Sequence, residues 1–315
     1  MPVETRSQRS CTVAGYGFIG SALVPALVAL GHRVRVLDRK SRPADLASEV
    51  EWIQADFPDA DGVDEALAGS DVVYHLIAST APVDMAKDLA ADLTHNVKAT
   101  LEFMERCKAR KVGKLVFASS ASVYGNQDSE KVSETSPTNP LSPHGIQKLT
   151  IEKYLLMARQ LNELNTQIFR IANPYGPGQS LRGRQGFVAI VLGNLLRQEA
   201  TRLRGDGSAR RDFIHVTDVA EALASMGMRP GGPPVLNIGS GQSTSLKELI
   251  DRIGAISGHK PLIQQLEPLE HEIKDSCFDI ALARAQGWAP RISLEKGLLQ
   301  VAAHHGLLAS SDASL

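Results

Sequence analysis

Cysteine, aromatic residues and excess charge are all scarce in this chain. The three cysteines among 315 residues, Cys11, Cys107 and Cys277, are far apart and odd in number. They fit reduced thiols of a cytoplasmic protein better than a disulfide framework. No His/Cys cluster has the spacing of a zinc site, so no metal is expected. A net charge of −1 supplies no global field for nucleic acid or an anionic membrane, and neither is an expected partner. The longest apolar run, 18–30, is too short to span a bilayer and contains Ser21 and Pro25. Residues 1–9 are polar and carry no apolar signal-peptide core. What remains is an ordinary globular composition, 43% hydrophobic and 22% charged, long enough for one large domain and a smaller one.

The first half alternates short apolar runs with helical stretches. Strands are expected at 11–15, 33–38, 50–56, 71–78, 114–120 and 166–173, and helices at 18–30, 62–68, 86–110 and 143–163. Near-continuous apolar strands alternating with helices imply an α/β fold with a parallel sheet covered on both faces. After Asn173 the texture changes to the Gly- and Pro-rich "NPYGPGQSLRGRQG". Helices at 187–198 and 217–226 and a late strand at 234–240 follow. The expected division is 10–172 for the core domain and 173–305 for a smaller one, with the late strand returning to the core sheet.

"VAGYGFIG" (13–20) closes the first strand and opens the first helix. Gly15, Gly17 and Gly20 satisfy GxGxxG, a pattern that permits a tight turn, close approach to a pyrophosphate and close helix packing. The helix N-terminus then faces the phosphates. Asp38 ends the second strand, 18 positions beyond Gly20, near the ~20-residue spacing of a carboxylate that binds a ribose 2′-hydroxyl. Such a carboxylate would repel a 2′-phosphate and favours NAD over NADP, although Arg39, Lys40 and Arg42 follow at once. Asp56, at the next strand end, is placed to meet an adenine edge; a solvated Asp would look the same.

"PLSPHGIQK" (140–148) reads as a helix opening, with Ser142 as cap and Pro143 at the first helical position. His144 and Lys148 are four apart and share a face. With "HLIA" (75–78), "NVKAT" (96–100), "FASSASVYG" (117–125), "RIANPYGPG" (170–178), "GDGSARRDFIHVTDVAEAL" (205–223) and "NIGSG" (237–241), the chain from about 11 to 290 resembles the extended short-chain dehydrogenase/reductases. The resemblance is to their NAD-dependent sugar-nucleotide epimerase/dehydratase group. It implies a Rossmann-type doubly wound sheet with a smaller C-terminal substrate domain. It also implies bound NAD held by the glycine loop with Phe18 and Ile19, and by Asp38, Asp56, Phe57, Leu76, Ala78, Asn96 and Lys148.

The family's catalytic unit is a Ser or Thr, a Tyr, and a Lys four residues after the Tyr. By resemblance these places fall on Ser120, His144 and Lys148, so the Tyr is replaced. A Tyr base needs its pKa lowered by the Lys ammonium. A His is already largely neutral near pH 7, and the Lys pushes it further that way. Its protonation state suits a general base; its reach does not, being shorter than a phenol's by roughly 2 Å, so a water or a shifted substrate is needed to meet the ~2.6–3.2 Å requirement. Three readings stay open: His144 acts directly or through water; Tyr124, Tyr175 or His75 supplies the proton; or the site binds its ligands without turnover. Ser120 would hydrogen-bond the reacting sugar oxygen, with Ser119 and Ser122 beside it. Dehydratases of the family carry an acidic pair where Ala121 and Ser122 stand, which favours epimerisation or simple oxidoreduction.

Seven arginines (182, 184, 197, 202, 204, 210 and 211) face only Glu199 and Asp206 between 182 and 211, a local positive region suited to a diphosphate. Most of them also fit plain solvated surface. The resemblance selects Asn173 and Arg211 as substrate binders, with Ser120 and Ser122. It places a further Arg near Leu269, where none stands; Lys274 is the nearby cation. The implied activity is NAD-dependent epimerisation of a nucleotide sugar, at carbon 4 of a UDP-hexose. A 4-keto-sugar-nucleotide reductase and a nucleotide-sugar-binding protein without turnover are the alternatives. A homodimer is expected, pairing 86–110 and 143–163 across a two-fold axis.

Overall fold

The computed structural model describes residues 8–77, 88–183, 185–268 and 273–308. In chain order the elements begin with β1 (Ser10–Ala14), α1 (Phe18–Ala29), β2 (Arg33–Asp38), β3 (Glu51–Gln54), α2 (Ala60–Leu67) and β4 (Val72–His75). There follow α3 (Leu89–Asp92), a π-helical segment Leu93–Lys98, α4 (Ala99–Ala109), β5 (Lys114–Ser120), a 3₁₀ turn Ala121–Val123, α5 (Pro143–Gln160), β6 (Thr166–Ile171) and β7 (Asn173–Tyr175). The remainder comprises α6 (Phe187–Arg197), β8 (Thr201–Arg204), β9 (Arg210–His215), α7 (Val216–Gly227), β10 (Val235–Ile238), β11 (Ser243–Ser245), α8 (Leu246–Ser257), β12 (Ile263–Leu266), α9 (Ala281–Ala285) and α10 (Leu294–His304).

Seven strands form one sheet in the order β10-β6-β5-β4-β1-β2-β3, and every neighbouring pair is parallel. This is the doubly wound arrangement. The strand order reverses between β1 and β4, so a crevice opens beyond their C-terminal ends. Helices α1 and α7 cover one face through Leu23, Leu27, Val219 and Leu223. Helices α2, α4 and α5 cover the other through Val63, Phe103, Ile151 and Leu155. Thus α7 and β10, which come after Asn173, complete the layer built by the first half. A second core joins α6, α8 and α10 to β7 and β9 around Tyr175, Val191, Leu249 and Leu298. There β7 and β11 flank β9, and β8 pairs with β12.

Two expected elements differ. The stretch 86–110 is not one regular helix: the π-helical segment interrupts it. Side chains there bond back to the helix, Thr94 to the Ala90 carbonyl and Thr100 to that of Asn96, and such back-bonding slightly destabilises and bends a helix. The strand expected at 166–173 ends at Ile171, and Asn173 opens β7, which leaves the sheet to pair with β9.

Between the sheet and α5 lies a buried ion pair. Glu152 is 0% exposed and takes a two-pronged contact from Arg170, with Nη2–Oε2 at 2.7 Å and Nε–Oε1 at 3.1 Å. Removing one partner leaves a buried charge, which typically costs about 3–5 kcal/mol. Glu152→Ala is therefore expected to lower the unfolding free energy by about that amount in urea denaturation, against less than half of it for Glu51→Ala at the exposed Arg35 pair.

Candidate active site

The glycine turn is built by close approach. Gly15 has φ +104°, and its N–H donates to the Leu37 carbonyl at 2.9 Å. A Cβ on Gly20 would lie 2.1 Å from the Gly15 carbonyl oxygen, so α1 can close on the turn only with glycine there. Among the described residues a Cβ on Gly17 would meet nothing within 4 Å, and no side chain caps α1. The first N–H groups of α1 therefore face an open cradle suited to a pyrophosphate. Phe18 and Ile19 form the opening of that helix, and Leu76 lies against it, its Cδ1 3.6 Å from the place of a Gly20 Cβ.

Asp38 sits beside the turn. Its carboxylate accepts from the Tyr16 N–H at 2.7 Å and the Lys40 N–H at 2.9 Å, one bond to each oxygen. Each oxygen keeps a lone pair for a ribose hydroxyl. Of the three cations that follow Asp38, Arg42 is turned to the carbonyls of Leu46, Ala47 and Val50, while Arg39 and Lys40 are exposed. Asp56 lies two residues past β3, exposed, and accepts from the Phe57 N–H at 2.9 Å. The Phe57 ring is turned to His75 and Phe103, at 5.2 and 4.9 Å. Asn96 lies in the π-helical segment and donates to the Asp92 carbonyl. Ala78 and Arg184 lie outside the described residues, as does Leu269.

The predicted cap of α5 forms: Ser142 Oγ accepts from the Gly145 N–H at 3.1 Å. A Cβ on Gly145 would lie 2.4 Å from the Ser122 carbonyl, so the first turn of α5 rests on the 3₁₀ turn after β5. That contact sets the first turn of α5, which carries His144, against the turn that carries Ser122. One turn later the Lys148 ammonium donates to the Ala118 carbonyl at 2.8 Å and lies 4.5 Å over the Phe117 ring. Burial brings its pKa down to about 8, opposed by the Glu152 carboxylate. His144 is brought down to about 4, first by burial and then by the Lys148 charge. Its Nδ1 is enclosed with no hydrogen-bond partner among the described residues, which leaves Nε2 as the nitrogen open to a ligand. Ser120 accepts from both the Ser122 N–H, at 3.2 Å, and the Ser122 hydroxyl, at 3.0 Å.

The other proton donors weighed from sequence are all buried. Tyr124 is 2% exposed, donates to Asn237 Oδ1 at 2.7 Å and receives Arg170 at 2.9 Å. Burial pushes its pKa up to about 12, against the pull of Arg170. Tyr175 is buried, donates to the Leu294 carbonyl and is also pushed up by burial. His75 is buried against Thr100, and burial with the Lys148 charge brings it down to about 3. Sequence reasoning missed the Glu152–Arg170–Tyr124 network beneath the site. Its only signals were a carboxylate four residues after Lys148 and a charge inside an apolar strand.

On the expected substrate side, Asn173 donates to the Asp212 carbonyl at 2.9 Å, and Arg211 to that of Arg210 at 2.8 Å. Asp212 was also missed. It is 0% exposed and accepts from the Ser240 N–H and hydroxyl and from the N–H groups of Gly241 and Phe278. It thereby ties β9 to the chain after β10 and to the segment leading to α9. Of the arginine group, Arg197 pairs with Glu199, and Arg210 binds Ser243. Arg182 and Arg202 are exposed, and so is Lys274.

Residues 11–239 match the model of the NAD dependent epimerase/dehydratase family. The chain belongs to this family. It is 36% identical over 300 residues to the UDP-glucose 4-epimerase of Mycolicibacterium smegmatis, covering 92% of this chain and 96% of that one. It is 28% identical over 308 residues to a dTDP-4-dehydro-6-deoxyglucose reductase of Escherichia coli, covering 94% and 97%. The crystal structure of the Thermus thermophilus UDP-glucose 4-epimerase in complex with NAD superimposes with a TM-score of 0.86 at 30% identity, over 94% of this chain and 98% of that one. NAD is the cofactor of the family, and the open cradle at Gly17 with the free lone pairs of Asp38 fits it. Asp38→Ala is expected to weaken NAD binding about tenfold and to narrow the preference over NADP, as read by fluorescence titration with each reduced cofactor.

Proposed function

We propose that this protein is an NAD-dependent nucleotide-sugar epimerase acting at carbon 4 of a UDP-hexose, with His144 in the proton-transfer place. The observation that carries the reading is an imidazole held neutral by burial and by a buried ammonium one turn along α5, whose first turn rests on the turn that follows Ser120. In this reading 10–172 hold the cofactor and 173–305 supply most of the sugar-nucleotide side, Asn173 and Arg211 among them. When bound, NAD supplies the acceptor for the hydride of the sugar carbon. Ser120 donates to the sugar oxygen. His144 takes the hydroxyl proton at Nε2, directly or through water, and returns it after the keto sugar has turned in the site. Lys148 holds the nicotinamide ribose and keeps the imidazole neutral.

An imidazole with a pKa of about 4 is a weak base. Protonating it at pH 7 costs about 4 kcal/mol, so turnover is expected to be slow. A reductase reading is favoured by the Escherichia coli relative. It differs in consuming reduced cofactor each cycle. Incubation with UDP-glucose, followed by NMR, is expected to yield the C4 epimer with no net absorbance change of the nicotinamide; net oxidation or reduction would support the reductase instead. His144→Ala is expected to abolish turnover and to spare NAD binding.

The pH dependence follows from the two shifts. The base form of His144 exists above about pH 4, and the Lys148 ammonium below about pH 8. The profile of kcat/KM is expected to stay flat between those limits and to fall on both sides.

The same α5 carries an apolar stripe on its outer face. Ile146, Tyr154, Met157 and Leu161 are between 41% and 57% exposed, and Leu89 and Leu93 of the neighbouring helical segment are similar. Spacings of three and four place the α5 residues on one side. A homodimer pairing 86–110 and 143–163 would cover them. Sedimentation is expected to give a dimer, and the double substitution Met157→Glu, Leu161→Glu a monomer.

A further inference from the structure

Ser122 has a chemical task distinct from contacting the sugar. Both acceptor positions of the Ser120 oxygen are filled by this one residue, through its N–H at 3.2 Å and its hydroxyl at 3.0 Å. A serine hydroxyl has two lone pairs and one hydrogen. With both lone pairs engaged, the hydrogen is the only capacity Ser120 has left for a ligand. The turn that imposes this is rigid: its carbonyl side is pressed against Gly145, where a Cβ would come within 2.4 Å of the Ser122 oxygen.

We infer that Ser122 is a positioning residue that makes Ser120 an obligate donor and thereby directs the substrate's hydroxyl proton to His144. The inference rests on the epimerase reading above. A sugar hydroxyl that reaches this site finds one group that donates and one that accepts. Its oxygen takes the Ser120 hydrogen, and its own hydrogen cannot go to Ser120. The acceptor that can also take the proton is His144 Nε2: Nδ1 is enclosed, Lys148 offers only N–H groups, and the Ser122 oxygen, whose lone pairs are free, is far too weak a base to hold it. As the proton leaves for the imidazole, charge develops on the sugar oxygen, and the Ser120 hydrogen already points at it. No reorientation of Ser120 is needed between the two protonation states. The shorter reach of an imidazole makes this matter more here, because a hydroxyl rotated toward a serine acceptor would lose its alignment with the base.

The test is Ser122→Ala, which keeps the N–H bond and removes the hydroxyl bond, leaving Ser120 free to accept. The expected result is a fall of about tenfold in kcat with KM within twofold of wild type. Ser122→Thr, which restores the hydroxyl, is expected to bring kcat back to within threefold. A raised KM with unchanged kcat would overturn the inference, because Ser122 would then touch the sugar itself. Unchanged kinetics would overturn it too. The same pair of variants in a His144→Tyr background separates the two readings. If the His144 parent does not turn over but the Tyr background shows the tenfold loss and its rescue, the Ser122 assignment stands and the His144 role fails. If neither background binds a UDP-hexose, both fall together.

Discussion

A single ammonium, that of Lys148, organises this site. It is held where the end of β5 meets α5, bonded to the Ala118 carbonyl and seated over the Phe117 ring. Burial draws its pKa down, and the Glu152 carboxylate one turn further along opposes that. Glu152 is itself fixed by Arg170, which is fixed by Tyr124 and the strand beneath. The charge of Lys148 then acts on both imidazoles near it, lowering His144 and His75 in addition to the effect of burial. A tyrosine in place of His144 would use that field to become ionised. A histidine meets the same field and becomes more firmly neutral. The site is thus electrostatically compatible with either residue, for opposite reasons, and the difference appears in base strength.

The fold delivers these groups by topology. Because the sheet reverses its order between β1 and β4, the glycine turn and the ends of β4 and β5 open on one crevice. The later part of the chain is woven into this scaffold through α7 and β10 as well as set beside it. Asp212 serves as a junction, gathering N–H groups from the chain after β10 and from Phe278 around one buried carboxylate. Burial raises its pKa while those donors lower it. The result is a fixed relation between the strand that carries Arg211 and the sheet that carries Ser120.

Much of this is legible in the sequence, and the exceptions have different causes. The strand 114–120 and the start of α5 at Pro143 were readable because apolar continuity and cap chemistry are local. The π-helical segment was not, since no local composition signal separates it from the α-helix on either side. Nor was the departure of Asn173 from the sheet, which is decided by its partner strand β9. That His144 and Lys148 share the opening turns of α5 was readable from the Ser142 cap and Pro143. That Tyr124 directs its hydroxyl to Asn237 was not, because that partner is set by packing between distant segments; that Ser122 directs its own to Ser120, two residues away, was not, because it depends on the backbone of the 3₁₀ turn between them.

The account stands on an imidazole kept neutral by burial and by the Lys148 charge, in a place where a phenol would have to be ionised. Its most direct test is the acid limb of kcat/KM, measured for the wild-type protein and for His144→Tyr. The wild type is expected to lose activity only near pH 4. The tyrosine variant is expected to turn over faster at neutral pH and to lose activity about two pH units higher. An acid limb at the same pH in both proteins would mean that residue 144 is not the group that takes the proton.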